Sequence, residues 1–193
     1  MKTLLYYKKQ RLEEFLYQLT VLNQYYIERR YELEDELVLF LEKLEHFFQE
    51  LGESNYQAKV SHLLVYYHTA KRGINPQTLE KLKLGKRENS WIGIFHVLES
   101  VTEILTDDYE QLNEKLEEAS ALLNPLILSA IQSKLITEKQ LEALEKRENL
   151  ESLWIELLAH EQVMLIEKKL KLSMEKEDIF ILLDMAFSKI NAH

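Results

Sequence analysis

The chain has 193 residues, 46% of them apolar, and carries a net charge of −9. That apolar content excludes a disordered segment, and 4 Gly and 2 Pro are too few for the many turns of an all-β fold. With no Cys, disulfides, thiolate metal sites and cysteine nucleophiles are excluded as well.

The first nine residues hold no apolar run of signal-peptide length, and no stretch anywhere is long and apolar enough to cross a bilayer, so the reading is a soluble, cytoplasmic chain without a membrane role. Leu, Glu and Lys, all good helix formers, dominate. The charge is uneven: residues 1–52 carry net −3, residues 53–100 net +3, and residues 101–193 net −9. Such asymmetry points to opposed faces or head-to-tail contacts rather than to nucleic acid.

Residues 3–51 lack Gly and Pro and follow a strict heptad. One position set is Leu5, Leu12, Leu19, Tyr26, Leu33, Phe40 and Phe47; the other is Lys9, Leu16, Asn23, Arg30, Leu37, Leu44 and Leu51. The spacing predicts one helix of about 48 residues, on the order of 70 Å long, projecting as an arm or breaking where the seam turns polar at Asn23–Arg30. Gly52 supplies its stop.

A second helix over 55–72 is rich in Tyr and His and ends near Gly73. Asn75-Pro76 reads as an N-cap with Pro at the first helical position, starting a short helix to about Leu84 before Gly85. A further heptad from Trp91 through Phe95, Leu98, Leu105, Leu112 and Leu116 to Leu123 predicts a helix over 90–123, ended or kinked by Pro125. Residues 126–135 are apolar and expected to be buried. Thr137-Glu138-Lys139-Gln140 is a capping box, opening a helix to about Leu172, and a last helix covers 175–191. Lys86-Arg87-Glu88-Asn89 and Lys146-Arg147-Glu148-Asn149, each followed by Trp-Ile and His, form one weak internal similarity; no third copy makes it a solenoid.

The expected fold is therefore all-α: a multi-helix bundle of about six or seven helices, with long antiparallel coiled-coil-like helices. It is read as a single domain over 1–193 with 3–51 as a candidate arm and 137–193 as a C-terminal helical part.

Three groups of residues are candidate sites. On an uninterrupted wheel Glu161 falls inside the stripe of Leu150, Trp154, Leu157, Met164 and Leu165, where an unpaired carboxylate is costly. It reads either as a buried polar residue that fixes helix register, with Arg30 and Asn23 as partners, or as a ligand-binding carboxylate with His160 and Arg30 in an inter-helix pocket. A metal centre from Glu42, Glu45, His46, Glu156, His160 and Glu161 is disfavoured, because no Glu-x-x-His pair of the di-iron type exists and the available pairs are four apart. The basic segment Lys81, Lys83, Lys86 and Arg87 around Gly85 has the length of a helix-turn-helix, but Lys81 and Lys86 fall where such motifs want core residues. Trp91, Ile94 and Phe95 are read as core of the following helix. The doublets Tyr6-Tyr7, Tyr25-Tyr26 and Tyr66-Tyr67 put one ring toward a seam and the other at its edge.

No phosphate-cradling glycine loop or nucleophile elbow is present, and no cofactor is implied. The leading expectation is a non-enzymatic scaffold or adaptor, since the 1–51 seam wants a partner helix: the 90–123 helix, another protein or a second copy of the chain. The alternatives are a bundle binding a small ligand around Glu161, and nucleic-acid association through residues 81–87.

Overall fold

A computed structural model describes residues 4–81, 85–145 and 147–191, leaving out the side chains of residues 86, 138, 142, 145 and 191. It is all-α, with eight α-helices among the described residues: α1 Leu5–Glu28, α2 Leu33–Glu50, α3 Ser54–Lys71, α4 Lys86–Gln132, α5 Glu138–Glu142, α6 Arg147–Leu157, α7 Glu161–Ser173 and α8 Lys176–Asn191. A 3₁₀ turn, Ala143–Glu145, follows α5. The count slightly exceeds the six or seven expected. The chain divides into two compact units, one of Gln10–Tyr109 and one combining the residues through Lys9 with those from Glu110 onward.

In the first unit the heptad of residues 3–51 does not make one helix or an arm. The chain breaks at Arg29–Glu32 and α2 folds back on α1. Phe15 meets Phe40 at 5.8 Å edge-on and Phe47 at 5.3 Å between ring centroids, which sets the two helices antiparallel. Leu12, Leu19, Leu33, Leu37 and Leu44 are buried along this seam. The partner helix the seam wants is thus supplied by its own second half, and the sequence argument for an external partner loses its premise.

The break is made by a Schellman motif. Arg30 N donates to Tyr25 O (3.0 Å), Arg29 N donates to Tyr26 O (3.2 Å), and Arg29 adopts φ +55°. Helix α2 then pairs with α3, where Phe48 stacks on Tyr56 at 5.1 Å and Ser61 donates to Glu45. Packing of α3 on α4 is close enough to need Gly93, since a Cβ there would lie 2.8 Å from Ala70 Cβ. A polar node joins α2, α3 and α4: Lys71 Nζ lies 2.7 Å from one Glu34 oxygen and Ser90 Oγ donates to the other at 2.7 Å. Burial pushes the Glu34 carboxyl up, but the hydrogen bonds from Lys71 and Ser90 and the ammonium charge outweigh it, so its pKa lies below the ordinary value.

The short helix expected from Pro76 does not form in its described part. Asn75 Oδ1 accepts from Gln77 N (2.9 Å) and Thr78 N (3.3 Å), and a lone antiparallel bridge pairs Ile74 with Lys81. The Asn side chain caps a turn rather than a helix.

Pro125 does not end α4, which runs on to Gln132. Proline removes one donor and crowds the carbonyl four residues back, that of Ala121. Both residues face solvent, where water can take the freed carbonyl, while Ala119, Leu123, Ile127 and Ala130 continue one buried stripe past the proline. Residues 126–135 are accordingly buried on one side only: Leu128 and Leu135 are exposed.

The capping box at Thr137 is realised, with Gln140 N donating to Thr137 Oγ1 and Thr137 N to Gln140 Oε1. The single helix expected from there to Leu172 is instead divided into α5, α6 and α7. Leu150, Leu153, Trp154 and Leu157 bury the stripe of α6, and Val163 and Leu170 that of α7. A straight continuation of α6 would set Glu161 and Met164 in that stripe. The break at 158–160 rotates α7 so that Val163 takes the inward place. These helices enclose the core of the second unit with Ile179, Leu183 and Phe187 of α8.

Candidate functional site

Glu161, read from the sequence as buried, is the exposed first residue of α7, and His160 before it is an exposed N-cap residue whose side chain makes no capping bond. The premise of a carboxylate locked in an apolar stripe is overturned by the helix break. Arg30 belongs to the α1–α2 turn in the other unit, where its guanidinium stacks on Tyr25 at 4.0 Å from the ring centroid and pairs with Glu32 at 3.6 Å. It is not a core seam residue. Asn23, its proposed companion, donates to Leu19 O on its own helix.

The metal-type residues are likewise engaged locally. His46 pairs with Glu50 at 3.1 Å, Glu45 accepts from Ser61, and Glu156 accepts from Gln140 at 3.0 Å. Among the described residues no group of three or more His, Asp or Glu is placed to hold a metal ion. In the basic segment, Lys81 is an exposed bridge residue, Lys83 lies outside the described residues, and of Lys86 only the backbone is described. Arg87 is exposed and sits 5.0 Å over the Tyr31 ring. A turn and bridge stand where a helix-turn-helix would need the helix before its turn.

Two surfaces of the first unit emerge that sequence reasoning did not find. The first is an open groove of about 630 Å³ between α3 and α4, lined by Lys59, His62, His96, Glu103 and Asp107 among others. His96 stacks on Tyr66 at 4.3 Å. Tyr56 donates to Asp107 at 3.0 Å; burial, this hydrogen bond and the neighbouring carboxylates raise its pKa well above the ordinary phenol value. It therefore stays protonated and can donate, but it cannot serve as a base near neutral pH.

The second surface is aromatic. Tyr26 packs on Trp91 at 5.1 Å and on Phe95 at 6.0 Å, joining α1 to α4. Around this contact Ile27 is 72% exposed, Tyr31 80% and Phe95 52%. Ile27 and Phe95 face each other across a shallow groove whose lining also includes Asn23, Leu98 and Glu99. The expectation that Trp91, Ile94 and Phe95 all serve as core holds for Ile94, which is fully buried, but Trp91 is half-buried and Phe95 stands out from the surface. The signal available in the sequence was the alternation itself: α4 faces inward on Ile94, Val97, Leu98 and Val101, and that stripe leaves Phe95 and Ile92 on its flank.

Two of the three Tyr doublets follow their expected division, while Tyr25 and Tyr26 are both half-buried. Tyr67 is fully buried while Tyr66 lies at the edge, and Tyr6 is half-buried with its hydroxyl 3.3 Å from Met185 Sδ while Tyr7 is exposed.

Comparison with protein families, with curated proteins and with solved structures finds no match to this chain. Among the described residues no helix is long and apolar enough to cross a membrane.

Proposed function

We propose that this chain is a non-enzymatic helical interaction module that engages a protein partner through the aromatic surface of α1, the α1–α2 turn and the first turns of α4. One observation carries the reading: Ile27, Tyr31 and Phe95 are displayed together with Tyr26, Trp91 and Arg87 on one continuous face. Tyr, Trp, Phe and Arg are the side chains enriched at the energetic centres of protein interfaces. Scattered single apolar side chains need no explanation on a surface, whereas a contiguous aromatic patch does. The Tyr26 contact with Trp91 and Phe95 and the Arg87 contact with Tyr31 pre-position several of its rings, which lowers the ordering cost of binding.

Photo-crosslinking tests this directly. Phe95→p-benzoylphenylalanine, expressed in full-length chain in the cells of origin, should yield a discrete protein adduct on irradiation. The same group placed at Leu39, which is exposed elsewhere on α2, should yield none. Equal or absent crosslinking at the two positions would remove the proposal.

A further inference from the structure

A different surface stands out in the second unit, on α7. Val163 and Leu170 form the buried face of this helix. Its opposite face is not the polar one that a surface helix ordinarily turns to water. Leu165 there is 56% exposed and Leu172 81%. The two stand seven residues apart, the spacing at which apolar side chains line a helix seam. Lys168 and Lys169, three and four residues after Leu165, share that face and are exposed. Beside it an open groove of about 560 Å³ separates α7 from α4. Lys169 and Leu172 line it from α7, Lys115 and Glu118 from α4, and Leu122 and Leu170 lie between them. Residues 101–193 carry net −9, yet three of their cations, Lys115, Lys168 and Lys169, gather around this one apolar strip. Glu118 in the groove and Glu161 at the start of α7 are the carboxylates beside them. Lys171 is held by Glu167 at 2.9 Å, whereas Lys115, Lys168 and Lys169 make no ion pair among the described residues.

We infer that the α7 face and its groove receive an acidic amphipathic helix of a protein partner. The partner's apolar side chains pack over Leu165, Leu172 and Leu122, and its carboxylates meet Lys115, Lys168 and Lys169. A groove between two helices suits a third helix, whose side chains enter it as ridges enter grooves. Cations flanking a seam of seven-residue spacing choose a partner helix with acidic flanks. A flat anionic bilayer would touch Leu165 and Leu172 but not Leu122 and Leu170 below them, and it would repel a chain of net charge −9. A small ligand in the groove would stay open to water on one side and leave Leu165 uncovered. A basic helix would set its charge against three cations. This surface is separate from the aromatic face, and the inference does not depend on that reading.

Its test is fluorescence anisotropy of a labelled synthetic peptide titrated with the full chain. The peptide has Leu at the seam positions of about four heptads, Glu on the flanks and Ala elsewhere, and a twin carries Lys in place of every Glu. The expected result is saturable binding of the Glu peptide, at least about tenfold tighter than that of the Lys peptide. Lys115→Glu with Lys169→Glu, and separately Leu172→Glu, should each weaken it by at least about tenfold. These positions are exposed, so helical circular dichroism should not change. Leu39→Glu, at an exposed leucine of α2, should leave the affinity as it is. No saturation below about 1 mM, equal binding of the two peptides, or variants at 115, 169 and 172 that bind as the parent does would each overturn the inference. Vesicles of phosphatidylserine and phosphatidylcholine that sediment the chain while the Glu peptide fails to bind would assign the face to a lipid surface and overturn the partner helix. The crosslink at position 95 reports on the aromatic face alone, so the two readings fail separately.

Discussion

Asp178 is fully buried and its carboxylate accepts three backbone N–H groups: Leu5 at 3.0 Å, Tyr6 at 3.1 Å and Glu175 at 3.4 Å. The first two are orphan donors at the start of α1 and the third is the N-cap of α8, so one side chain from the far end of the sequence caps two helix N-termini. Each terminus carries partial positive charge, which favours an anion there. Asp178→Asn keeps the shape but loses the charge and one acceptor, leaving at least one buried donor poorly paired. It should cost about 1.5–3 kcal/mol of unfolding free energy, read from denaturant midpoints at constant slope. A loss below about 0.5 kcal/mol would mean that water, not Asp178, satisfies the first turn of α1. Nothing near residue 5 or residue 178 announces this pairing, because the two positions are 173 residues apart.

At the scale of elements, helix ends decided which expectations survived. Helices α1 to α4 all close with the same Schellman geometry, their left-handed residues being Arg29 (φ +55°), Gly52 (φ +71°), Gly73 (φ +76°) and Lys134 (φ +58°). Where that residue is Gly, the end was legible: Gly52 and Gly73 stop α2 and α3 as read from the sequence. Where it is Arg or Lys the same bend carries no compositional mark, and the heptad of residues 3–51 runs through Arg29 without interruption. A left-handed Arg costs on the order of 1–2 kcal/mol relative to Gly. Arg29→Gly should therefore raise stability by about 0.5–1 kcal/mol, after the larger entropy of the unfolded Gly chain is set against it. It should do so with no change in helical circular dichroism, and a decrease in stability would show that the Arg29 side chain makes a contact outweighing the strain. The fold class, the ends of α2 and α3 and the span of α8 were readable for the opposite reason, their stripe or stop lying in adjacent residues. The candidate site was scarcely readable. Glu161 was placed by extending a wheel across 158–160, and a break of three residues there turns a buried carboxylate into an exposed one.

For the whole molecule, acidification pits two effects against each other. Lowering pH reduces the net charge of −9, which relieves self-repulsion and favours the folded state modestly. Further down, the Glu34 node works the other way. The folded-state pKa of Glu34 is depressed, so the stability it contributes is complete above the ordinary carboxyl pKa and is lost as pH falls through the folded value. Lys71 is the mirror case, its pKa raised first by the hydrogen bond to Glu34, so its contribution holds below the ordinary ammonium pKa and is lost as pH rises through the folded value. Near neutrality both members are charged and the node is at full strength. Trp91 lies in the unit that holds this node and Trp154 in the other, so a Trp154→Phe background leaves a single indole reporting on residues 10–109. In that background Glu34→Gln should lower stability at pH 7 by about 0.5–1 kcal/mol, the range for a part-exposed ion pair. It should also flatten the fall in stability below the ordinary carboxyl pKa, because the neutral amide has no proton to gain there. An acid limb equally steep in the Glu34→Gln variant would assign the acid sensitivity to other carboxylates and reduce the Glu34 node to packing alone.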